Sequence, residues 1–271
     1  MELIDKAREL IKGQKYDREG NSRKCYFVNI DGRDYALLVY PCDSKEENTL
    51  RLQATCDLVE QGLDTPHLIG IDYEDGMAYE IQERVMGKTF AYRNLSRCGG
   101  EEIFMTDFIY SLKILDNADK SAFLGLLNDA RIFYINGYDL DCHPDNFLID
   151  KEGNFTLIDL DLYEMPKKRE DKFYLYCNVL PYMISFVTSV FLKEDSKYYD
   201  EIRELLRSIG HKWFEICVEY LAMYDFEAPE MRQILNRVSF NYFLMDQAEI
   251  DHMIYSHFSD DRVIDDRVIL G

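Results

Sequence analysis

Residues 139–161 read "DLDCHPDNFLIDKEGNFTLIDLD". Two short apolar runs, "NFLID" and "FTLID", flank "KEGN", where Gly153 permits a tight reversal, so the pattern predicts a β-hairpin. In a hairpin the residues furthest from the turn end side by side, which puts Asn146 opposite Asp159. Two oxygen donors at one open end suit a hard cation such as Mg²⁺, which takes one or two protein oxygens and leaves its other positions to water and phosphate. Asp141 precedes Asn146 in the loop that leaves the preceding helix. A carboxylate there can orient a hydroxyl and accept its proton during a phosphoryl transfer. The competing reading is an acidic turn in an acidic protein. Each element alone is common; the weight lies in their joint order.

Working outward, the first third is strand-rich after an opening helix, "MELIDKARELIKG", with Leu3, Ala7, Leu10 and Ile11 on one face. "KCYFVNI" and "DYALLVY" read as strands around "DGR", and "HLIGIDYEDGMAYEIQERV" as two more around "EDG". Between the pairs, "EENTLRLQATCDLVEQG" reads as a helix ending on Gly62. From about Phe90 the pattern turns helical, interrupted by the hairpin at 146–159 and resuming over 170–193, 198–224 and 229–257. The expectation is an α+β chain of two lobes, residues 1–86 and 87–271, the second carrying the loop and hairpin.

The 271 residues are 47% hydrophobic, enough to bury a core. A formal charge of −20 argues against nucleic acid or anionic lipid as a partner and is kinder to a neutral or cationic ligand. No membrane span is expected, because the longest apolar run, 175–192, contains Asn178, Pro181, Ser185 and Thr188. Seven cysteines without a CxxC pair signal neither zinc nor a disulfide framework and fit a reducing cytoplasm. His252 and His257 lack the spacing of a helical metal pair. The basic cluster "PKKRED" (166–171) reads as a solvated helix start or, beside Asp159, as a contact for an anionic substrate, and the repeated "DDRVI" (260–269) as a frayed acidic tail.

Asp139-Leu140-Asp141-Cys142-His143-Pro144-Asp145-Asn146 resembles the catalytic loop of the protein-kinase-like fold. Within that fold, its His-Pro pair is similar to that of small-molecule kinases of the aminoglycoside phosphotransferase and choline kinase type. The resemblance implies a bilobal kinase-like fold that binds ATP and Mg²⁺ between its lobes and phosphorylates a hydroxyl of a small molecule. Asp141 would be the catalytic base or orienting group, and Asn146 and Asp159 the metal ligands. Gly20, Asn21 and Ser22 of "REGNSRKCYFV" would form the tip of the loop over the phosphates. Backbone groups of Glu83 and Val85 would meet adenine above an apolar floor of Leu148 and Ile158. The short interval between Asp159 and the helix near Glu170 leaves no room for a long activation segment, which disfavours a protein kinase.

The resemblance fails at the phosphate-binding ion pair. The third-strand lysine is replaced by Leu38, and the helical glutamate, counted back from "GLDTP", by Gln53. Two readings stay open: an active kinase in which Lys24 or Arg23 reaches the phosphates, or a pseudokinase that binds nucleotide or a partner without efficient transfer. The acceptor and the oligomeric state are not legible.

Overall fold

The computed structural model describes residues 3–19, 23–91, 101–158, 160, 163–164, 173–191, 196–224 and 226–259. Its first elements are α1 (Leu3–Leu10), β1 (Arg18–Glu19), β2 (Lys24–Ile30), β3 (Arg33–Pro41), α2 (Lys45–Glu60), β4 (Leu68–Glu74) and β5 (Met77–Glu83). Both turn signals fold as read. Asp31 and Gly32 take φ of 53° and 84°, Asp75 and Gly76 of 50° and 74°, the left-handed pair whose twist matches the strands it joins. The sheet runs β1-β2-β3-β5-β4, with every pair antiparallel.

Alternation along these strands sorts side chains to two faces. On one, Val28, Ile30, Tyr35, Leu37 and Ile81 form a core with Ile4 and Ala7 of α1. The helix is rotated slightly from its expected face: Leu3 and Ile11 pack at the edge of this core, while Leu10 is 44% exposed. On the other face lies Leu38, paired in register with Cys25 on β2 and with Glu80 on β5. Toward this face α2 directs Asn48 and Arg51. Ser44 caps α2, its hydroxyl accepting from the Glu47 N–H at 3.2 Å.

The chain divides into two units, residues 1–87 with 156–162, and residues 88–155 with 163–271. The short segment joins the first unit through the "GLDTP" turn: Leu157 N–H donates to the Asp64 carbonyl at 3.0 Å, and the Thr65 hydroxyl to the Leu157 carbonyl at 2.7 Å.

The remaining elements are β6 (Lys88–Thr89), α3 (Glu101–Asn117), α4 (Lys120–Ile135), β7 (Tyr138–Asp139), β8 (Phe147–Ile149), β9 (Phe155–Leu157), β10 (Tyr163–Glu164), α5 (Phe173–Cys177), α6 (Val179–Phe191), α7 (Tyr199–Ala222), α8 (Ala228–Leu235) and α9 (Gln247–Ser259). Strands β6, β8 and β9 form one small sheet, and β7 pairs with β10. The helical core is aromatic, with Phe104, Phe108, Phe123, Trp213, Phe214 and Phe240 all at or below 1% exposure. Trp213 satisfies its indole N–H on the Cys177 carbonyl at 2.8 Å.

Two helical stretches are broken where the periodicity ran on. The 170–193 stretch divides into α5 and α6 at Asn178, which is fully buried. Its amide donates to the Tyr174 carbonyl at 2.8 Å and its oxygen accepts from Ser239 N–H at 2.7 Å. The 229–257 stretch divides into α8, a 3₁₀ turn at Phe240–Phe243 and α9, the turn closed by Leu244 at a φ of 56°. Among the described residues no helix is long and apolar enough to cross a membrane. The class is α+β, its elements in the order expected of a kinase-like chain: an antiparallel-sheet first unit and a mostly helical second.

Candidate functional site

In the second unit, β8 is clamped by its neighbours. Thr89 pairs with Leu148, and Phe90 N–H donates to the Phe147 carbonyl at 2.9 Å. The rings of Phe90, Phe147 and Phe155 meet edge to face beneath it, at centroid distances of 5.4 and 6.2 Å from Phe155. The hairpin turn is held by Asp150. Its Oδ1 accepts the N–H groups of Glu152 and Asn154, each at 2.9 Å. Gly153 has a φ of 92°, and Ala118 lies where a side chain on it would project.

The loop before β8 is an ordered turn. Pro144 opens a 3₁₀ turn through Asn146, whose N–H donates to the His143 carbonyl at 3.0 Å. Asp141 Oδ1 accepts His143 N–H at 3.2 Å, and Asn146 Nδ2 reaches the Asp141 carbonyl at 3.4 Å. The Asn146 side-chain oxygen has no hydrogen-bond partner among the described residues. The His143 ring lies 4.0 Å from the Phe186 ring of α6, so it anchors the loop to that helix. Asp159 lies outside the described residues, and among those described no group of three His, Cys, Asp or Glu could hold a metal.

Asp139 and Asp141 line a cavity of about 340 Å³ together with Tyr134, Tyr174, Tyr182 and Phe186. Cys142 also lines it, but burial, reinforced by the Asp141 and Asp139 carboxylates, pushes its thiol well above the ordinary range. The thiol stays protonated near neutral pH and is no nucleophile.

In the first unit a second cavity, of about 220 Å³, lies against α2 and the Leu38 face of the sheet. Glu80, only 3% exposed, is its deepest charged group, and Arg51 pairs with it at 3.2 Å through Nη2. The same Nη2 donates to the Tyr40 hydroxyl at 2.9 Å, while that hydroxyl donates to Glu80 at 2.8 Å. Asn48 Oδ1 accepts from Arg51 Nε at 3.2 Å, and the Gln82 amide donates to the other Glu80 oxygen. Burial and then Glu80 push the Tyr40 phenol up to about 12. Burial works against the Arg51 charge, but Glu80 and Tyr40 more than offset it and its pKa is raised.

These positions revise the missing ion pair. Leu38 does occupy the cavity face, but Gln53 does not oppose it: Gln53 is exposed and donates along the helix surface to Asp57 at 2.9 Å. The α2 residues that line the cavity are Arg51, Leu52, Thr55, Cys56, Val59 and Glu60. Lys24 pairs in register with Val39, a residue of the α1 side, so its side chain leaves the sheet on the face opposite Leu38 and is exposed, its ammonium 5.6 Å over the Tyr16 ring. Arg23 lines the cavity, with its guanidinium 5.2 Å over the Tyr40 ring.

Of the other expected contacts, Ile158 lines the first-unit cavity, while Leu148 is buried on β8 in the second unit. Glu83 N–H already donates to the His67 carbonyl at 3.0 Å, and Val85 is half-buried. Gly20, Asn21 and Ser22, like "PKKRED" and the "DDRVI" repeat, lie outside the described residues. The residues that sequence reasoning missed are Arg51 and Glu80. The signal was there: an acid in the middle of "MAYEIQE", a strand with apolar neighbours, needs a partner if it is buried.

No family model and no curated protein matches the sequence. Among solved structures, one titled "WaaP in complex with acyl carrier protein" superposes over 93% of this chain and 91% of that chain, with 16% identity and a TM-score of 0.42. A likeness at that level assigns neither substrate nor partner.

Proposed function

We propose that this chain is an ATP- and Mg²⁺-dependent phosphotransferase acting on a hydroxyl of a small molecule. The observation that carries the reading is the 139–146 loop. Asp141 holds a half-buried carboxylate at the edge of a cavity, fixed by a single backbone donor among the described residues, with the Asn146 amide nitrogen reaching the Asp141 carbonyl in the same turn. A carboxylate so placed can accept a hydrogen bond from an acceptor hydroxyl, align it and take its proton as the phosphorus–oxygen bond forms. Asn146 and Asp159 would hold Mg²⁺, which supplies charge neutralisation on the phosphates. Backbone groups of Glu83 and Val85 would meet adenine. The cavity walls, two carboxylates among four aromatic rings, favour an acceptor carrying a cationic group.

A second reading keeps nucleotide binding without efficient transfer. It is favoured by Leu38, since β3 supplies no cation on the cavity face.

Purified protein separates the two readings through thermal shift with Mg·ATP and phosphoryl transfer to a panel of amine-bearing and neutral alcohols. Under the first, wild type is stabilised and turns over, Asp141→Asn keeps the stabilisation and loses about 10²–10⁴ in rate, and Asp159→Ala loses the stabilisation. Stabilisation without turnover on any acceptor selects the second reading. No stabilisation overturns both.

A further inference from the structure

A buried carboxylate such as Glu80 is tolerable only when paired, yet its partner here is more than a neutralising cation. Arg51 spends Nε on Asn48 and Nη2 on Asn48, Tyr40 and Glu80; among the described residues Nη1 has no partner. The guanidinium is held in place from one side, with 20% of the side chain exposed, and it lines the 220 Å³ cavity with Arg23. Two guanidinium groups therefore share one cavity with Glu80, which is engaged, and Glu60, which is exposed.

The register adds a second observation. Leu38 and Glu80 are direct cross-strand partners, so they point from the same face with Cβ atoms about 5 Å apart. Glu80 thus stands beside the position where a strand cation would have stood, and the charge that faces it comes from the helix. The polarity of the pair is reversed between elements: the acid is on the sheet and the base on α2.

We infer that Arg51, oriented by Glu80, Tyr40 and Asn48, is the phosphate-binding cation of the first unit, with Arg23 as a second contact, and that the cavity takes a polyphosphate group. With Nε and Nη2 committed, the two Nη1 hydrogens, which have no partner among the described residues, can meet two phosphate oxygens, and neighbours that fix the guanidinium beforehand reduce the ordering cost of binding. The inference deepens the kinase reading and rests on it for the identity of the ligand as a nucleotide, but the anion site stands on the first unit alone.

The test uses the full chain and two probes, Mg·ATP and inorganic tripolyphosphate, with titration calorimetry. Arg51→Met should weaken both by about 10- to 100-fold. Adding Leu38→Lys to Arg51→Met should restore binding, because a lysine at that position meets Glu80 across the strand pair. A purely structural Arg51 would lower the melting temperature and leave both affinities unchanged, and that result overturns the inference. In wild type, tripolyphosphate should also protect Arg51 from phenylglyoxal, read by mass spectrometry, a measurement that needs no variant to fold; unprotected Arg51 under saturating probe overturns it equally. Arg51-dependent binding of tripolyphosphate with none of Mg·ATP would sink the kinase reading and keep the site. Binding of Mg·ATP unchanged by Arg51→Met would sink the site and keep the kinase reading. Binding of neither probe refutes both.

Discussion

The two charged clusters of this chain are built on opposite terms. In the first unit, Arg51, Glu80, Tyr40, Asn48 and Gln82 engage one another through several hydrogen bonds around a carboxylate that is 3% exposed. In the second, Asp141 is half-buried, accepts one backbone N–H and faces a cavity. The first carboxylate contributes to holding its surroundings in place. The second is held by its surroundings, and among the described residues its remaining lone pairs have no hydrogen-bond partner. Buried charge with full pairing is a structural commitment; a carboxylate with spare acceptor capacity beside a cavity is what a proton-accepting role requires.

The sharpest way to break this contrast is Glu80→Ala. It leaves the Arg51 charge without its carboxylate, and a loss of about 3–5 kcal/mol is expected in urea unfolding. A loss below about 1 kcal/mol would show that the network is ornamental. Tyr40→Phe is next, at about 1–2 kcal/mol, because it removes the hydroxyl that bridges Arg51 and Glu80. This variant also has a pH signature. The Tyr40 pKa rises from 10.0 to about 12 on folding, so its contribution is complete below pH 10 and is lost as pH climbs to 12, where the unfolded chain has released the proton and the folded one has not. Wild type should therefore lose more stability than Tyr40→Phe between those two values; parallel curves would contradict the assignment. The smallest effect belongs to Asp141→Asn, whose amide oxygen can still accept His143 N–H. Its unfolding free energy should stay within about 0.5 kcal/mol of wild type, and a large drop would mean that Asp141 is a structural group like Glu80.

What could be read from the sequence was local. "DGR", "EDG" and "KEGN" each announced a turn because an aspartate, asparagine or glycine adopts the required backbone at little cost, and no distant residue has a vote. The spacing of Asp141 and Asn146 is local in the same way: Pro144 and the few residues around it bring them into one turn. The Arg51–Glu80 pair joins positions 29 apart, and its recognition depended on the phase of α2. Counting back to Gln53 missed Arg51 by two residues, a rotation of about 200°, which turns the inward face outward. Lys24 and Arg23 show the same hazard on a strand, where a step of one residue changes the face. The breaks at Asn178 and Leu244 were hidden because periodicity reports which residues are apolar and says nothing of a buried amide that ties two helix ends to a third segment.

The strap formed by Asp64 and Thr65 on Leu157 has a practical consequence. Because residues 156–162 belong to the first unit, the chain passes from one unit to the other at three points along its length, and no single cut releases either whole. A fragment ending at Gly87 would lack Ile158 and Leu160, two walls of the Arg51 cavity, and would leave the Asp64 carbonyl and Thr65 hydroxyl without the backbone they hold. Such a fragment becomes a receptor for its own missing strand, and a synthetic peptide spanning those residues is the natural ligand with which to complete it.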